Sequence, residues 1–212
     1  MIPTADEKAR LIQKNAPEVL NSIAERRTKC MNEVDFVNSE LRKRSRFASY
    51  KSRASLLSRS VKGTVLNAHG MCMMYWTDYN VPDMAERKRF LQEAVHYLDE
   101  ADRYLPGDWA NTCDIGSAHF RMGVVAKETG ADPSTELKTA IDKFQRVIGE
   151  LRPRYGFALY ERGRIYRVWG RFDEAKSSLN EALLVPAEYR DVGDKNVNNE
   201  LSRAEQGDSN YP

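Results

Sequence analysis

The chain has 212 residues, 41% hydrophobic and 30% charged, enough to bury a sizeable core and still solvate long polar faces. Lys and Arg number 33 against 31 Asp and Glu, a near-cancellation that excludes a polyelectrolyte and leaves only local charge to speak for partners. Cys30, Cys72 and Cys113 are too few and too scattered for a disulfide framework and read as buried free thiols of a reducing compartment. Met1–Ala16 lacks the apolar core of a secretory signal, and no apolar run approaches the roughly 18 residues of a membrane span. A soluble, cytoplasmic protein without a membrane segment is the expectation.

Helix formers dominate and alternating β-branched clusters are rare, which predicts an all-α fold. Pro82, Pro106, Pro153 and Pro186 fall between helical patterns, where they act as breaks. Helices are predicted over 18–42, 47–78, 83–104, 109–129, 134–151, 156–169, 172–185 and 195–206. In the first, Leu20, Ile23, Arg27, Cys30, Val34, Val37 and Leu41 alternate at spacings of three and four, an a/d seam with Arg27 as its flaw. Such a seam packs either on the next helix of the same chain or on a second copy, so oligomeric state stays open.

The stretch 41–62 carries Arg42, Lys43, Arg44, Arg46, Lys51, Arg53, Arg59 and Lys62 without an acidic residue, with Phe47 and Tyr50 interleaved. These cations spread around much of a helix. They form either an electrostatic footprint for RNA, DNA or an acidic protein face, or a solvated face neutralised by Glu33, Asp35 and Glu40. His69 and Cys72 stand three apart on one predicted helix, but His96, Cys113 and His119 supply no matching pair, so no metal is expected. Phosphate-loop, dinucleotide, zinc-protease and nucleophile-elbow motifs are missing. The expectation is a protein that is not an enzyme and has no cofactor.

Repeats are the stronger signal. From Phe157 to Pro186, small residues recur where two helices must approach, and large apolar ones recur where space must be filled: Gly163, Tyr166, Gly170, Ala175, Leu179, Ala182 and Pro186. Two weaker copies precede it, one with Gly123, Ala140, Phe144, Val147 and Pro153, the other with Gly70, Ala94, Leu98, Ala101 and Pro106. This spacing resembles the tetratricopeptide repeat, closely over 157–186 and more loosely over 63–153. The resemblance implies a TPR-like α-solenoid of about three helix pairs over 63–186. A long helical segment 1–62 precedes it, and a capping helix with a polar tail follows over 187–212. Val197, Leu201 and Ala204 mark the capping helix, and Gln206–Pro212 is expected to fray.

In that family the first helix of each pair lines a concave face. Carried over, the lining residues are Asn67, Met71 and Met74, then Phe120, Val124 and Lys127, then Tyr160, Arg164 and Arg167. The resemblance thus implies a non-catalytic adaptor or assembly subunit that receives a protein segment with acidic and apolar residues. Arg121 and Glu161 stand where chaperone-tail-binding members carry other polar contacts, so that ligand is not expected. The competing reading is that one of the chain's own terminal helices fills the groove. Nucleic-acid binding through 41–62 is the alternative function.

Overall fold

The computed structural model describes residues 48–80 and 83–211, together with Glu25, Thr28 and Asn32. The seam residues Leu20, Ile23, Arg27, Cys30, Val34, Val37 and Leu41 lie outside the described residues. All regular structure among the described residues is helical. The chain divides into two compact units, Met1–Pro106 and Gly107–Pro212.

In the first unit, helix α1 (Ala48–Asn80) packs on α2 (Met84–Tyr104). α1 runs unbroken through positions 62 and 63, where the sequence suggested a boundary. Asp83 starts α2: its carboxylate accepts the Glu86 N–H at 2.8 Å and satisfies one of the donors that a helix start leaves open. Leu91, Ala94, Leu98 and Ala101, at helical spacings of three and four, form the buried stripe of α2. Cys72 is exposed, which corrects the expectation that it is a buried thiol; Cys113, in the second unit, is buried as expected.

The second unit contains α3 (Trp109–Glu128), α4 (Ser134–Arg146), a π-helical turn (Val147–Leu151), α5 (Gly156–Val168), α6 (Phe172–Leu183), the short α7 (Ala187–Arg190) and α8 (Asp194–Glu205). The single helix expected over 134–151 therefore changes geometry at Val147, and α7 occupies what reads in sequence as a loop. α3 packs on α4, α4 on α5, α5 on α6, and α6 on α8.

Close approach within each pair depends on a missing side chain. A Cβ built on Gly70 would fall 2.7 Å from Leu98 Cγ, one on Gly123 would fall 2.5 Å from Leu137 Cδ2, and one on Gly163 would fall 2.6 Å from Leu179 Cγ. All three distances lie far inside van der Waals contact, so the glycines let the leucines of the facing helix sit against bare backbone. Gly170 adopts φ +82° at the turn between α5 and α6, a conformation that costs glycine little.

Ala140, Phe144, Val147, Ala175, Leu179 and Ala182, the large and small markers of the last two copies, are all fully buried. One core cluster joins Phe120, Leu137, Phe144 and Ile165; a second joins Leu159, Leu179, Ala182 and Val197, so α8 covers the end of the α5/α6 pair.

Candidate functional site

One face of the second unit gathers polar groups with unusual burial. On α5, Tyr160, Arg164 and Arg167 are separated by four and then three residues, and so share a helix face. Gly163, one turn from both Tyr160 and Arg167, borders this face and meets α6. On α3, Phe120, Val124 and Lys127 repeat the spacing. α8 adds Glu200 and Arg203, one turn apart.

Arg167 is fully buried, and its Nε donates to Glu200 Oε2 at 2.6 Å. Arg164 Nη1 donates to Glu161 Oε1 at 2.8 Å, while its Nε lies 3.9 Å from Glu200 Oε1. Arg203 Nη1 lies 3.7 Å from the same Glu200 oxygen. Three guanidinium groups thus surround one buried carboxylate, and Arg164 has a second carboxylate of its own. Burial opposes the charge on Arg164, but the Glu161 carboxylate and the neighbouring Tyr160 and Tyr211 more than offset it and raise its pKa above the usual arginine value.

The surplus positive charge faces the chain's own segment after α8. Gly207 takes φ +69° and turns the backbone off the helix end. Arg167 Nη1 then donates to two carbonyls, Asp208 O at 2.7 Å and Asn210 O at 2.8 Å. Lys127 Nζ donates to the carbonyl between them, Ser209 O, at 2.7 Å, and to Val168 O at the end of α5 at 2.8 Å. Arg203 Nη2 reaches Asn210 O at 2.6 Å, and its Nε holds Asp208 Oδ2 at 2.8 Å. Asp208 Oδ1 accepts the Asn210 N–H at 2.9 Å.

Tyr211 completes the set. Its ring meets Phe120 edge-on with centroids 5.5 Å apart, and Arg164 lies 5.5 Å above its centroid. Segment 207–211 is therefore docked, not frayed, which corrects the expectation for these residues. The bonds from Arg167 and Lys127 span 41 to 82 residues of chain.

The ionisations follow the geometry. Burial, and then the charge of Arg167, pull the Lys127 ammonium below its ordinary value. The Asn210 N–H, and then the Arg203 guanidinium, hold Asp208 below the usual carboxylate value. Burial pushes the Tyr160 hydroxyl up to about 12.

The energies nearly balance. Four hydrogen bonds from cations to the backbone carbonyls of this segment contribute roughly 1.5–3 kcal/mol each, about 6–12 in all. Ordering five residues costs about 1–2 kcal/mol each, about 5–10 in all. In addition, Arg167 Nη2 is buried and has no hydrogen-bond partner among the described residues.

The remaining predicted residues fall elsewhere. In the first unit Met74 is fully buried, whereas Asn67 and Met71 are half-buried. Arg42, Lys43, Arg44 and Arg46 lie outside the described residues, and Lys51 and Arg53 are described only as helical backbone. Lys62 is half-buried, and Arg59 Nη2 donates to Arg103 O at 3.3 Å. Sequence reasoning missed Glu200, Arg203, Asp208 and Tyr211. The available signal was an acidic–basic pair one turn apart on α8, followed closely by a tyrosine.

A second concavity, about 850 Å³, opens beside the π-helical turn. Ile148, Leu159 and Val185 are among its apolar residues, and its one carboxylate, Glu181, is paired with Arg162 at 2.7 Å. Arg152, Arg154, Tyr155 and Tyr189 also line it, so its apolar floor is rimmed by polar groups. Among the described residues no three His, Cys, Asp or Glu side chains gather as a metal site would require, and no helix is long and apolar enough to cross a membrane. Burial pushes the Cys113 thiol up to about 12, which leaves it un-ionised and inert at neutral pH. No protein-family model matches the chain, and no curated protein matches it.

Proposed function

We propose that the chain is a helical-repeat interaction protein of the tetratricopeptide type, a non-catalytic adaptor whose groove between α3, α5 and α8 takes a peptide by its backbone. The carrying observation is that Arg167 and Lys127 donate to three successive carbonyls, those of Asp208, Ser209 and Asn210. Cations aimed at carbonyls bind a peptide backbone largely without regard to its side chains, and the flanking aromatic and Arg side chains then select among peptides. The close helix pairs at Gly70, Gly123 and Gly163 support the repeat reading, because each brings a small residue of one helix against a leucine of the next.

The test is selection of binders from a displayed random-peptide library on the full chain. Peptides whose binding is lost in Lys127→Met support the groove. Enrichment of no peptide, or of peptides indifferent to Lys127→Met and Tyr160→Ala, overturns it.

A further inference from the structure

The contacts of segment 207–211 separate into two kinds. Those to Asp208, Ser209 and Asn210 carbonyls are blind to sequence. Two others read side chains: Arg203 Nε on the Asp208 carboxylate, and Phe120 with Arg164 on the Tyr211 ring. Between these two readers, Asn210 is exposed. The groove therefore reads an acidic residue and, three positions later, an aromatic one.

One observation marks the resident segment as a replaceable occupant. Arg167 Nη2, fully buried in the groove, finds no hydrogen-bond partner among the described residues, so an occupant with one more acceptor there would bind better. The segment enters the groove through Gly207 at φ +69°, the turn that also closes α8, with the Gly207 N–H on Ala204 O at 3.2 Å and the Asp208 N–H on Arg203 O at 2.9 Å.

Resting on the function proposed above, we infer that the partner is a peptide turn with an acidic residue followed three positions later by an aromatic, and that Asp208–Tyr211 occupies the groove as its intramolecular competitor. A partner must then displace 207–211, and its apparent affinity is lowered by the fraction of molecules in which the groove is filled. Any change that loosens the resident segment without touching the groove walls tightens partner binding.

The probe is a fluorescein-labelled, end-capped peptide of sequence Gln-Gly-Asp-Ser-Asn-Tyr, titrated by fluorescence anisotropy onto the full chain. Two variants loosen the segment by different routes: Tyr211→Ala removes its aromatic anchor, and Gly207→Val disfavours the positive φ that aims it. Both are expected to bind the probe roughly tenfold more tightly than the unaltered chain. Exchanging Asp for Asn or Tyr for Ala in the probe should weaken binding by a similar factor.

Equal affinity of all three proteins for the probe would refute the competition while leaving the groove reading intact. Peptides selected from the library that bind at the groove but lack the acidic–aromatic pair would overturn the motif alone. Absence of probe binding to either variant, with native helical circular dichroism in both, would make 207–211 a fixed part of the fold and overturn the inference.

Discussion

Replacing Arg167 by Met removes a buried guanidinium while keeping most of the side-chain volume. Three bonds go with it, to Glu200 Oε2 at 2.6 Å, Asp208 O at 2.7 Å and Asn210 O at 2.8 Å. The released carbonyls can turn to water, so their loss costs little. Glu200 cannot, because its side chain is only 8% exposed. Removing one partner of a buried ion pair costs about 3–5 kcal/mol, most of it the penalty for the stranded charge. Glu200 keeps longer contacts to Arg203 at 3.7 Å and Arg164 at 3.9 Å, which places the expected loss near the lower end, about 3 kcal/mol.

The control is Arg167→Met with Glu200→Gln, which strands no charge and should recover about 1–3 kcal/mol relative to the sum of the single variants. Urea unfolding followed by circular dichroism reads both, with the unfolding slope checked because the chain contains two units. A loss below about 1 kcal/mol for Arg167→Met, or strict additivity in the double variant, would refute the claim that this cluster holds α5 and α8 together.

Other outcomes follow from single features. Gly163→Val should destabilise by about 1–3 kcal/mol through overlap with Leu179, and Leu179→Ala in the same chain should recover part of the loss; urea midpoints decide. Iodoacetamide at neutral pH should modify Cys72 and spare Cys113 until the chain unfolds, as read by peptide mass mapping. Asp208 has a folded pKa below its ordinary 3.8, so its contribution to docking is fully present above that value and is lost as pH falls through the lowered one. The Tyr211 ring signal in NMR should report this acid release, and Asp208→Asn should remove the pH dependence.

The helices were legible because apolar residues recur at helical spacing between proline and glycine breaks, as Leu91, Ala94, Leu98 and Ala101 do before Pro106. The close pairs were legible at Gly70, Gly123 and Gly163, where a missing side chain is the only economical reason for the residue. The π-helical turn was not: Val147–Leu151 continues the helical pattern, and its altered hydrogen bonding, Arg152 N–H to Val147 O, leaves no compositional trace.

The docked segment was hidden for a different reason. Gly-Asp-Ser-Asn is a polar run that reads as a fraying end, and what orders it is supplied by Lys127 and Arg167, far away in the chain. Glu200 was hidden likewise, since its role depends on Arg164 and Arg167 of another helix. Local periodicity reveals elements, whereas convergence of polar groups from separate elements becomes visible only once the chain is folded.

The most direct test of the account is native-state hydrogen exchange of the backbone amides of 208–211, followed across sub-denaturing urea. A groove that must empty to receive a partner requires these amides to exchange by local opening, nearly independent of urea and faster than those of Ile165 to Trp169 in the core of the unit. Exchange of 208–211 only through global unfolding, with the urea dependence of α5, would contradict it.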